Sequence, residues 1–146
     1  TYMRTDSVNL SDLAIGAARD FITKEFGPEY AMPHGRKYKT KQASAQEAHE
    51  AIRPTYMEKT PESIGLDPQE AKLYRLIWER TVASQMQEAQ VETTTYHFSP
   101  VSSQGEDWIV KGEVIKFPGF MKLYIEGTDD ENGEESDSKK LPLVKK

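Results

Sequence analysis

The sequence predicts an α+β fold: a helical part over residues 1–88, then an antiparallel β-rich part over 89–146. Three observations carry this reading. Apolar residues recur at spacings of three and four up to about residue 89. Helix start signals stand at Ser11, Ser44 and Asp67. Beyond residue 89, Thr, Val, Ile, Tyr and Phe gather in short runs separated by turn residues.

Element by element, Asp12 to Phe26 places Leu13, Ala17, Phe21, Ile22 and Phe26 along one helical face, with Ser11 as N-cap and Gly27-Pro28 as the stop. Pro28 to Gln42 is a loop rich in Pro, Gly and Lys. Ser44-Ala-Gln-Glu47 reads as a capping box, the serine oxygen and the glutamate carboxylate each bonding the other's amide. The short helix that follows has to end by Arg53, because Pro54 disfavours a helical residue before it. Asp67-Pro68-Gln69-Glu70 starts a second long helix, running to about Ala89 with Leu73, Ile77, Trp78, Val82 and Met86 on its apolar face. Val91–Phe98 and Trp108–Phe117 are strands joined through a turn at Gly105. Phe120–Ile125 is a third short strand, residues 126–140 form an acidic mobile loop, and Leu141–Val144 begins another strand. Phe21 and Trp78 are core candidates.

With 146 residues, 36% of them hydrophobic and 29% charged, the chain can bury a modest core but does not read as a self-sufficient enzyme. No apolar run approaches the ~20 residues of a membrane helix, and no signal-peptide pattern is present. The absence of cysteine excludes disulfides, thiolate zinc sites, iron–sulfur clusters and thiol catalysis, and fits a reducing compartment. The start at Thr1 and the end on Lys145-Lys146 read as a piece of a longer chain. The net charge of −5 is unevenly placed: residues 1–89 carry 12 basic and 13 acidic groups, residues 90–146 carry 7 and 11. His34 to Lys41 holds Arg36, Lys37, Lys39 and Lys41 without an acid. Such a loop can hold a polyanion despite the global sign, because screening confines fields to roughly 8–10 Å.

Two clusters carry potential chemistry. In Thr1-Tyr2-Met3-Arg4-Thr5-Asp6-Ser7, Tyr2 and Arg4 are two apart, and in an extended segment both project to one side. A phenol with a guanidinium fork beside it makes a phosphoryl-transfer half-site. Spacing alone favours a polar loop leading into the helix at Ser11, with Asp6 or Ser7 as alternative caps. In Gln46 to Thr55, His49 and Arg53 are four apart, on one face of the expected short helix, a cationic pair suited to phosphate. Spacing alone reads this as a solvated Glu–His–Arg face. His34 and His97 are weaker candidates, and no spacing resembles a metal cage. Tyr30, Tyr38 and Tyr56 read as packing residues or as stacking platforms for bases.

Taken together, TYMRTDS and EAHEAIRPT, in this order and at this separation and followed by LYRLIWERTVASQM, resemble the active-site tyrosine and histidine motifs of the type IA DNA topoisomerases. The resemblance is specific from Thr1 to about Met86 and looser to the end. Met3 and the HEAIRPT wording are similar to the family's bacterial branch. The resemblance implies that Tyr2 is the nucleophile that attacks a phosphate of single-stranded DNA to give a 5′-phosphotyrosine link. It implies that Arg4 steadies the scissile phosphate, that His49 contacts it, and that Asp6 is an orienting carboxylate. Thr5, Ser7, Arg36, Lys37, Lys39, Lys41 and Arg53 are the expected DNA-binding or supporting set.

By the same resemblance, residues 1–88 are a catalytic gate domain and residues from 89 on are one incomplete stretch of a β-rich arch. The partners are single-stranded or negatively supercoiled DNA and the rest of the same chain, a Toprim domain and the remaining arch, with no membrane. The setting is cytoplasmic and nucleoid-associated. Relaxation needs no ATP. The Mg²⁺ of the intact enzyme takes its ligands from the Toprim domain, so no metal or other cofactor is expected within these residues, and the chain alone is expected neither to cleave nor to relax DNA. It is expected to bind single strands weakly and with strong salt dependence. Unpaired strand edges over 91–125 are expected to invite an artefactual dimer. The alternative reading is a non-catalytic nucleic-acid-binding or interaction module that keeps the motifs.

Overall fold

The computed structural model describes residues 3–38, 49–99 and 108–124. The expected capping box at Ser44, the Gly105 turn, the acidic loop and the strand at Leu141 lie outside the described residues.

Helix α1 spans Asp12–Glu25 and begins as its cap dictates: Ser11 is extended, and its Oγ accepts from the Ala14 N–H at 3.3 Å. Its buried face is Ala14, Ile15, Ala18 and Ile22. Of the expected face, Ile22 is buried and Phe21 and Phe26 pack against the core, but Leu13 is 82% exposed and Ala17 is exposed as well. Small residues let the 31–38 loop approach, and Gly35 meets Ile15 so closely, at a φ of +67°, that a side chain there would overlap it. A 3₁₀ turn over Pro28–Tyr30 follows.

Helix α2 spans Pro68–Ser84, with Asp67 accepting from the Gln69 and Glu70 N–H groups at 2.9 and 3.0 Å. It stops five residues short of the expected Ala89. Met86 has left the helix and pairs antiparallel with Ala31 in an isolated bridge, so tertiary pairing overrides a continuing helical period. Leu73, expected on the apolar face, is exposed.

The core gathers Ala18, Ile22, Ala31, Met57, Trp78, Val82 and Met86, with Phe21, Phe26, Tyr30, Tyr74, Phe120 and Leu123 packed around them. Phe21 meets Trp78 edge to face with centroids 5.4 Å apart. Full burial of Ile22, Met57, Val82 and Met86 stabilises by about 1.5–3 kcal/mol each. Tyr30 is a packing residue, its ring 4.8 Å from that of Phe117.

Strands β1 (Gln90–Phe98) and β2 (Trp108–Phe117) form an antiparallel two-stranded ribbon in which Tyr96 faces Val110 and Phe98 faces Trp108. Nearly all of its residues are exposed. The expected third strand is instead a 3₁₀ turn over Gly119–Lys122. Gly119 at φ +51° permits it, and a Cβ there would sit 2.5 Å from the Gln87 carbonyl oxygen. That turn ties the base of the ribbon to the helical body: the Phe120 N–H donates to the Gln87 carbonyl at 2.9 Å, and the Gln87 N–H to the Tyr30 carbonyl at 2.7 Å. None of the described helices is long and apolar enough to cross a membrane.

Candidate active-site strand pair

Residues 49–53 are not helical. The spacing of His49 and Arg53 fits a helix face, but the chain here is extended and paired with the N-terminal segment. Met3 and Glu50 form a parallel bridge. The Arg4 N–H donates to the Glu50 carbonyl at 3.1 Å, and the Ala51 N–H to the Asn9 carbonyl at 2.8 Å. Ser7 Oγ donates to the His49 carbonyl at 2.7 Å. The two motifs, more than forty residues apart in sequence, thus lie side by side. Backbone groups that a short helix would have satisfied internally find partners across this pair.

Side chains complete the arrangement. Arg4 Nε lies 3.1 Å from Asp6 Oδ1, both half exposed, so the carboxylate expected to orient the site is engaged with the guanidinium. Thr5 is exposed in the turn between them, and Ser7 and His49 are half-buried. Arg53 has turned inward. Its Nε and Nη2 donate to the two oxygens of Glu50 at 2.6 and 3.1 Å, and its side chain is only 13% exposed. In the free chain this expected DNA contact is therefore a structural fork. Tyr2, Lys39 and Lys41 lie outside the described residues.

Arg36 lies against the C-terminal end of α2 and Lys37 against the start of α1. Arg36 Nη2 bonds Glu88 at 2.8 Å, and Lys37 Nζ lies 2.7 Å from Asp12. The buried Gln85 fixes the Arg36 backbone, accepting from its N–H at 2.8 Å and donating to its carbonyl at 3.1 Å. Tyr38, offered as a stacking residue, donates its hydroxyl to the Ser84 carbonyl, and Tyr56 stays exposed beside Lys59.

Glu50 and Gln85 are the residues that sequence reasoning passed over. Glu50 stood in plain view three positions before an arginine, but a helical reading put it on a solvated face. It is 7% exposed. Chiefly the Arg53 fork, helped by the Ser11 N–H donating at 2.9 Å and opposed by burial, holds its carboxyl at about 2, down from 4.5. A folded-state value below the unfolded one gives stability that is present above pH 4.5 and lost as pH falls through about 2. Wild type is therefore expected to lose roughly 3 kcal/mol more than Glu50→Gln between pH 5 and pH 2. Denaturant midpoints across that range measure it, and parallel curves for the two proteins would contradict it.

A surface groove of about 600 Å³ on the outer side of α2, lined by Gln69, Lys72, Leu73, Arg75, Leu76, Glu79 and Leu123, contains none of these candidates. Among the described residues no group of three or more His, Asp or Glu is placed to hold a metal ion.

A family model described as DNA topoisomerase matches residues 1–146. DNA topoisomerase 1 of Streptomyces coelicolor is 47% identical over 148 residues, covering 99% of this chain and 16% of that protein. DNA topoisomerase 1 of Rickettsia conorii is 44% identical over 149 residues, covering 99% and 19%. Full-length topoisomerase I from Thermotoga maritima, solved in a monoclinic crystal form, superposes with a TM-score of 0.64 at 42% identity, over 84% of this chain and 19% of that one. The chain spans less than a fifth of the length of each of these relatives. Near-complete coverage of this chain, at such identity and with the same fold, shows that it belongs to the bacterial DNA topoisomerase I family.

Proposed function

We propose that residues 1–88 supply the tyrosine side of the active site of a type IA DNA topoisomerase, with residues 89–146 as part of its arch. The carrying observation is the parallel Met3–Glu50 bridge, which sets the tyrosine motif against the histidine motif. In this reading Tyr2 and His49 act on the same phosphate. The Tyr2 phenol then attacks a phosphorus of single-stranded DNA. A bond forms from the phenol oxygen to phosphorus, the bond to the neighbouring deoxyribose 3′ oxygen breaks, that oxygen leaves as a hydroxyl with a proton replacing the one the phenol gives up, and the DNA 5′ phosphate stays on the tyrosine. Resealing reverses the exchange, and because one phosphodiester replaces another, no ATP is consumed. Arg4 binds phosphate oxygens with its guanidinium fork, a role supported by its exposure and by the exchangeable ion pair with Asp6. His49 supplies a second contact, and Thr5 and Ser7 line the turn.

Arg36 and Lys37 extend the contact with DNA, joined by Lys39 and Lys41. The exposed ion pair of Lys37 with Asp12 is worth only about 0–1 kcal/mol, so a phosphate can displace the carboxylate. Magnesium ions belong with ligands outside these residues. Without that part the chain alone is inactive. Denaturant trapping of the intact protein on a single-stranded oligonucleotide tests the reading: the DNA is found on Tyr2, by its 5′ phosphate.

A further inference from the structure

The geometry points to Glu50 as the positioning residue that sets Arg4 and His49 at a common distance from the phosphate, an inference that rests on the reading of Tyr2, Arg4 and His49 as the phosphate-handling set. Three residues converge on Glu50, Arg4 and Ser11 from the N-terminal stretch and Arg53 from its own segment. Its carbonyl accepts from Arg4, fixing the strand that carries the guanidinium. Its carboxylate accepts from the Ser11 N–H, fixing the start of α1, where the positive end of the helix dipole favours an anion. The same carboxylate takes both arms of the Arg53 fork. His49 is its immediate neighbour, and the His49 carbonyl accepts from Ser7 Oγ on the same segment as Arg4.

The chemistry of the pair suits this task. A bare carboxylate near a phosphate would repel it. Joined to Arg53, Glu50 forms a nearly neutral unit that orders the backbone without opposing the substrate's charge. Both side chains are withdrawn from solvent, so the geometry is held in a medium where such bonds are strong and their loss leaves unsatisfied groups. Misplacement of reacting groups by about 1 Å costs on the order of 10²-fold in rate, so loss of this anchor acts on the chemical step more than on the encounter with DNA.

Glu50→Gln in the intact protein tests this, read by single-turnover formation of the trapped adduct and by affinity for a single-stranded oligonucleotide at fixed salt. The expected result is a fall in rate of about tenfold or more with affinity within about twofold of wild type. A rate within about twofold of wild type overturns the inference, and so does an equal fall in rate and affinity. Should Glu50→Gln fail to fold, Arg53→Gln, which leaves the Ser11 bond in place, is read by the same two measurements against the same limits. Tyr2→Phe is run alongside: an adduct that persists there overturns the underlying reading, whereas a dead Tyr2→Phe beside an unaffected Glu50→Gln overturns the positioning role alone.

Discussion

Tyr2→Phe in the intact protein is expected to abolish covalent attachment to single-stranded DNA, a loss on the order of 10⁴-fold or more. The substitution removes one oxygen and leaves the ring, so shape and stacking survive while the nucleophile does not. Binding of single strands should persist, because the proposed contacts run through Arg4 and the basic residues at 36–41 and do not use the phenol oxygen. A phenol is weakly acidic, with a free pKa of about 10, and needs a cation close to its target. The pairing of Met3 with Glu50 and of Arg4 with the Glu50 carbonyl sets the tyrosine motif against the histidine motif, as the proposed site requires. Adduct yield in denaturant is the measurement. An adduct of wild-type yield would place the nucleophile elsewhere and leave this chain as a non-catalytic DNA-binding module.

Trp78→Ala is expected to cost about 3–5 kcal/mol, the largest stability effect of any single side chain in the helical body. Trp78 lies in the middle of the core against Phe21, and its indole Nε1 donates to the Met57 carbonyl at 2.9 Å across 21 residues of sequence. Truncation opens a cavity between α1 and α2 and orphans that carbonyl. Trp78→Phe separates the two effects: it keeps an aromatic ring in place and leaves the carbonyl unbonded, for about 1–3 kcal/mol. Denaturant unfolding followed by far-ultraviolet circular dichroism reads both. A cost below about 1 kcal/mol for Trp78→Ala would contradict the packing described.

What could be read from sequence was local. Ser11 and Asp67 announce their helices because a cap acts within three residues. Trp108–Phe117 is a strand end to end because its β-branched and aromatic residues suit a pleated ribbon. What escaped was set by distant partners. Met86 keeps the helical period, yet Ala31 draws it into a bridge. Leu13 has the right spacing and lies exposed, since the close approach of the 31–38 loop selects the Ala14–Ile15–Ala18 face. Phe120 turns into a 3₁₀ segment because Gly119 adopts a positive φ against the Gln87 carbonyl. At the site, the residue types and motifs were legible, but their pairing was not: a helical spacing between His49 and Arg53 concealed an extended segment whose hydrogen-bond partners lie forty residues earlier.

The tyrosine and histidine motifs, held in parallel register, are expected to close around one phosphate. A crystal structure of the intact protein bound to a single-stranded oligonucleotide measures it directly. One DNA phosphate within hydrogen-bond reach of Tyr2, Arg4 and His49 together, with the Met3–Glu50 pairing retained, is the result predicted. A phosphate held by Arg4 while His49 faces away from the DNA, or a DNA path that bypasses both, would contradict it.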